Sequence, residues 1–186
     1  MQNTKIIVGI VIAIVVIGGI YYFWQRGGAD QPGSGAVETP QGVAEAPGAS
    51  AVTEEGLVVT ASGEAAKNDA EPGTSAAPQQ SSPIDAGSVT SKAIKLTMGG
   101  DTASITPNNF KVKAGAVVTV SITSADTFSH VFKFTDPSLQ AVAVGVGPDE
   151  TRLISFNAPT KKGEYEFFCD VPGHVARGEV GVMVVE

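Results

Sequence analysis

The last 96 residues of this 186-residue chain predict an all-β domain, an antiparallel sandwich or barrel. Three observations predict it. Short β-branched or aromatic runs recur at roughly 8–12-residue intervals, Gly- and Pro-containing turns separate them, and no helix-period segment interrupts them. The runs, in order, are "AIKLTM", "FKVKAG", "VVTVSIT", "HVFKF", "AVAVGVG", "TRLISFNA", "EYEFFC" and "VGVMVVE". The turns are "GGD", "DP", "GPDE", "APTKKG" and "PGH". Several runs alternate, with Phe110 and Val112 set against Lys111 and Lys113, and Leu153 against Arg152. Such a period of two is that of a strand with one face on a core. A domain of this length holds one small core.

The chain before this domain has a different character. Hydrophobic residues make up 42% of the sequence, and much of the excess lies in "IIVGIVIAIVVIGGIYYFW", Ile6 to Trp24, 19 apolar residues without a charge. As a helix this run is roughly 28 Å long, near the hydrocarbon thickness of a bilayer. Tyr21, Tyr22 and Trp24 cluster at its end as in an interfacial belt. A cleaved signal peptide fits less well, because its apolar core is shorter and "YYFWQR" offers no small-residue cleavage site. Residues 1–26 are therefore expected to form an uncleaved membrane anchor. Lys5 and Arg26 flank it on opposite sides, so the positive-inside rule barely sets its direction.

Residues 27–90 are dominated by Gly, Ala, Ser, Pro, Thr and Glu and contain no aromatic residue. Such a segment buries too little to offset its ordering entropy, and it is expected to be a disordered linker. It carries nine acidic residues and one lysine, whereas residues 91–186 carry ten acidic and nine basic residues. Most of the net charge of −7 thus sits on the linker, and no basic patch points to nucleic acid. P-loop, G-x-S-x-G and strand-linked G-x-G-x-x-G patterns are absent.

The chain has two histidines, His130 and His174, and one cysteine, Cys169. No intrachain disulfide is possible, and a lone thiol in an exported protein calls for an explanation, which metal ligation supplies. Cys169 ends the aromatic run "YEFFC"; His174 follows five residues later across Pro172-Gly173; His130 begins "HVFKF". A His₂Cys set of this kind is the equatorial plane of a blue-copper electron-transfer centre. A buried cysteine that is merely a small hydrophobe and histidines satisfied in the core are the bland alternative. The scarcity of these residue types and their pattern weigh against it.

These residues resemble the cupredoxin family. The resemblance spans about residues 95–186 and rests on "SHVFKF", on "YEFFCDVPGHVARGEVGVMVV" and on "NNFKVKAG". The ligand loop is most similar to the Cys-x4-His-x4-Met type of rusticyanin-like and sulfocyanin-like proteins. The resemblance implies a Greek-key sandwich of about eight strands over residues 91–186, one copper ion cycling between Cu(I) and Cu(II), and His130, Cys169 and His174 as equatorial ligands. Two positions depart from the family pattern. Glu179 stands where that loop type has methionine, and Val131 stands where many members have Asn or Ser bracing the loop. Glu179 is the expected fourth metal residue, a hard anionic oxygen that favours Cu(II) and lowers the potential. Two other arrangements stay open: Glu179 turned to solvent with the Ser129 carbonyl as a weak axial contact, or Met183 in its place. Asp126, Asp136, Asp149 and Glu150 read as turn and surface residues, and Met98 as a strand residue.

The expected function is a membrane-tethered one-electron carrier on the extracytoplasmic side, with membrane-associated redox proteins as partners. A copper sensor, store or delivery protein is the alternative, although such proteins usually carry several Met, His or Cys ligands for hand-over. Small-molecule binding at an open axial position is weakly supported, and the protein is not expected to be an enzyme. Multicopper chemistry needs histidines this chain lacks, and a binuclear centre needs a second cysteine.

Overall fold

The computed structural model describes residues 46–186. Eleven strands occur among them. They are β1 (Ala51–Val52), β2 (Val58–Val59), β3 (Ile94–Gly99), β4 (Ser104–Thr106), β5 (Asn109–Val112), β6 (Val117–Ser124), β7 (His130–Phe134), β8 (Val144–Val146), β9 (Thr151–Asn157), β10 (Gly163–Cys169) and β11 (Val180–Val185). One four-residue helix, α1 (His174–Arg177), lies between β10 and β11. The order β5-β11-β10-β7-β8 makes one sheet and β4-β3-β6-β9 another, while β1 and β2 pair by themselves. The two large sheets hold nine strands, one more than the expected eight. The addition is β4, whose short run Ser104–Thr106 lies between two turn segments.

Pairing is antiparallel except where β5 meets β11 and β3 meets β6. The core lies between the sheets. Phe132, Phe134 and Phe167 from one sheet meet Phe156 from the other, and Phe110 stacks on Phe167 with ring centroids 5.5 Å apart. Burying each such side chain stabilises the fold by about 1.5–3 kcal/mol relative to exposure. The alternation along β7 is strict: His130, Phe132 and Phe134 are buried, with Val131 and Lys133 between them less so. Tyr165, Phe167 and Cys169 are the buried set of β10. The period of two therefore puts His130 and Cys169 on the core side of adjacent strands, at the same end of their sheet.

The expectation of a disordered linker through residue 90 is corrected over residues 46–90, which fold into the same compact unit as the strands that follow. The segment around Gln80–Ile84 runs along the outer edge of β9. The Ser81 N–H donates to the Leu153 carbonyl at 2.8 Å, the Leu153 N–H donates to Ser81 Oγ at 2.9 Å, and the Ile84 N–H donates to the Thr151 carbonyl at 2.9 Å. Ala46 and Val89 cover Leu153 in a small second cluster. This is why Leu153, Ile154, Ser155 and Phe156 are buried in succession: β9 is covered on both faces. The edge amides supply hydrogen bonds that the segment's own composition could not provide. The expected anchor, residues 1–26, lies outside the described residues. Among the described residues no helix is long and apolar enough to cross a membrane.

Candidate metal centre

His130 opens β7, Cys169 closes β10, His174 is the first residue of α1, and Glu179 directly precedes β11. The loop from Cys169 to Glu179 is shaped by two glycines. Gly173 (φ 85°) turns the chain into α1, and Gly178 (φ 109°) ends it, both in the left-handed region that favours glycine. The Glu179 N–H then donates to the His174 carbonyl at 3.2 Å, and the Cys169 N–H donates to the Glu179 carbonyl at 3.0 Å. Two five-residue steps, Cys169 to His174 and His174 to Glu179, therefore fold back on one another.

The four side chains converge in the interior. Their candidate ligand atoms all lie within 4.8 Å of one another, and all four residues are buried. Glu179 Oε2 is 2.8 Å from His130 Nδ1 and 3.1 Å from His174 Nδ1. Cys169 Sγ is 3.4 Å from His174 Nδ1 and 3.9 Å from His130 Nδ1. Donors about 2.0–2.3 Å from a shared ion sit roughly 2.8–3.8 Å apart for angles between 90° and 120°; the spacings of 2.8, 3.1 and 3.4 Å lie in that range, and the 3.9 Å between Cys169 Sγ and His130 Nδ1 is just beyond it. Glu179 Oε1, also buried, lies 3.1 Å from His174 Nδ1 and 3.8 Å from Arg177 Nη2 without a well-aligned hydrogen bond. A buried carboxylate without well-aligned donors on both oxygens is costly, and a cation in the cluster would complete its pairing.

Burial and the close packing of the four groups shift the thiol and the carboxylate in opposite directions. Burial pushes the Cys169 thiol up to about 11, with the Glu179 carboxylate adding to the rise and N–H groups of Val131 and Val171 opposing it. Burial also disfavours the Glu179 carboxylate, but hydrogen bonds with His130, Cys169 and His174 outweigh it and hold its pKa below the ordinary value. The Val131 N–H donates to Cys169 Sγ at 3.4 Å. The family's polar brace after the first histidine is absent, yet the backbone contact to sulfur is kept.

The structure brings His130, Cys169, His174 and Glu179 together. It does not bring Met183 there: that residue is fully buried in the core, paired across the sheet with Phe110 and Tyr165. Glu179 has no exposed surface, so the solvent-facing arrangement does not occur, and Ser129 is exposed. Asp126, read as a turn residue, is a neighbour of the site, its Oδ1 3.0 Å from His130 Nε2. The stretch "DTFSH" is the available signal, an Asx-turn residue four positions before a candidate ligand.

A family model described as "Cupredoxin-like domain" matches residues 74–182. The chain belongs to this family. Among solved structures, the cupredoxin-like chain is similar to dithionite-reduced auracyanin from the photosynthetic bacterium Roseiflexus castenholzii, at 25% identity and TM-score 0.45 over 52% of this chain and 98% of that one. It is also similar to auracyanin A, a "blue" copper protein of Chloroflexus aurantiacus, at 21% identity and TM-score 0.43 over 50% and 98% of the two chains. Amicyanin from Paracoccus versutus aligns at 22% identity and TM-score 0.42 over 56% and 92%. No curated protein matches the chain. Cupredoxins bind one copper ion, and the His, Cys, His and Glu donors of this cupredoxin-like domain form a group able to hold one.

Proposed function

We propose that this cupredoxin is a one-electron carrier whose single copper ion is held by Cys169, His130, His174 and Glu179. The observation that carries the reading is the buried four-donor cluster, in which the Glu179 carboxylate meets both imidazoles. Bound copper would supply a centre that alternates between Cu(I) and Cu(II). The protein's part is to keep the donors in place. His130 and Cys169 are anchored in paired strands, and His174 and Glu179 are tied by the backbone bonds of the loop. Restrained donors keep reorganisation small between two oxidation states. All four are buried, and His174 keeps the most exposed surface, edge-on to Phe128 and beside exposed Val175. That apolar surface is the proposed approach for redox-protein partners. Glu179 acts as a hard anionic donor that favours the oxidised state and lowers the potential. The apolar run near the N-terminus supports a membrane tether, and the family resemblance supports a domain on the extracytoplasmic side.

The test is to load the full-length protein with one equivalent of Cu(II) and record visible absorption, EPR and voltammetry. A thiolate-to-copper band with reversible cycling supports the carrier. A band without reversible cycling favours copper sensing or delivery instead, and no band at all rejects the copper site.

A further inference from the structure

We infer that Asp126 is a positioning residue for this centre: its carboxylate accepts the Nε2–H of His130 and so turns the Nδ1 lone pair toward Cys169, His174 and Glu179. The inference rests on the proposed copper reading and deepens it. A neutral imidazole carries one proton, and the nitrogen that keeps it is set by the acceptor nearby. His130 is fully buried between two carboxylates, with Glu179 Oε2 at 2.8 Å from Nδ1 and Asp126 Oδ1 at 3.0 Å from Nε2. Glu179 alone would draw the proton onto Nδ1, and a protonated Nδ1 cannot ligate. Asp126 supplies the competing acceptor on the far side of the ring.

The surroundings of Asp126 are built for that task. Its Oδ1 accepts the Phe128 N–H at 2.9 Å and its Oδ2 accepts the Gly100 N–H at 3.1 Å. Ser124 Oγ donates to the carbonyls of Asp126 and Phe128, tying the loop to the end of β6. Gly99 forms the wall behind the carboxylate. A Cβ there would collide with the Asp126 carboxylate and come within 2.9 Å of His130 Nε2, and its φ of +79° also favours glycine. Three strand ends, those of β3, β6 and β7, thus converge on one carboxylate–imidazole pair. Such outer partners orient a metal-bound histidine and make it a stronger donor, and losing one costs about 10–100-fold in metal affinity.

The experiment compares wild type, Asp126→Asn and Asp126→Ala as full-length proteins. Cu(II) affinity is measured by chelator competition, the potential by voltammetry, and the His130 tautomer by ¹⁵N NMR of the Cu(I)-loaded protein. Asp126→Ala is expected to lose about 10–100-fold in Cu(II) affinity, to raise the potential, and to lose the uniform Nε2–H tautomer. Asp126→Asn keeps an acceptor oxygen and is expected to keep the tautomer while raising the potential through the lost charge. If Asp126→Ala does not fold, as judged by melting of the metal-free protein, the potential of Asp126→Asn decides. Wild type that takes up no copper overturns the proposed function and this inference with it. Wild type with a normal band, and folded variants matching it in affinity, potential and tautomer, overturn this inference alone.

Discussion

The Nδ1 of His130 and the Oε2 of Glu179 lie 2.8 Å apart, both side chains fully buried, although 49 residues separate them in the chain. A carboxylate in such a place is expensive unless it is paired. Here it is paired on two sides by imidazole, with His174 Nδ1 3.1 Å from each of its oxygens.

Replacing this carboxylate is therefore the most direct probe of the centre. Glu179→Met exchanges a hard anionic oxygen for a soft neutral sulfur. The expected outcome is a higher potential and a visible spectrum moved toward intense blue. Voltammetry and absorption of the copper-loaded proteins check it; an unchanged spectrum and potential would show that Glu179 stays out of the coordination sphere.

Cys169 sets the pH dependence of metal uptake. Its thiol, raised to about 11 chiefly by burial, is protonated at neutral pH in the metal-free protein. Metal must displace that proton, so apparent affinity should rise with pH, by about tenfold per unit for each proton released. Calorimetry in buffers of different ionisation enthalpy counts the protons. Stability of the metal-free fold carries the matching sign. The folded pKa lies above the ordinary value of 9.0, so the contribution is present below about pH 9 and is lost as pH rises through about 11. Denaturant unfolding at a series of alkaline pH values should show the decline, and Cys169→Ser should flatten it.

Ser81 joins the covering segment to β9. Ser81→Ala would leave the Leu153 N–H buried without its acceptor. A loss of about 1–3 kcal/mol is expected, read as a lower denaturant midpoint with the copper band unchanged. A variant as stable as wild type would mean that residues 46–90 contribute little to the edge of β9.

The strand pattern and the convergence of Cys169 with His174 were legible for the same reason. Both depend on neighbours in sequence: the alternation within "HVFKF" and "EYEFFC", and a ten-residue loop turned by Gly173 and Gly178. A chain with one cysteine and two histidines also leaves few ways to assemble a metal site. Residues 46–90 were not legible, because a segment poor in apolar residues has no periodicity to read. Its order comes from the edge amides of β9, about 70 residues away.

By itself, then, the sequence determined an all-β domain with His130, Cys169 and His174 placed at strand and turn ends, since steric and hydrophobic periodicities act over a few residues. The tertiary structure alone decided that Glu179 points inward, that Met183 stays in the core, and that Asp126 reaches the far nitrogen of His130. Each of those outcomes depends on which strand ends meet across the sandwich, and close packing between distant segments is what settles that.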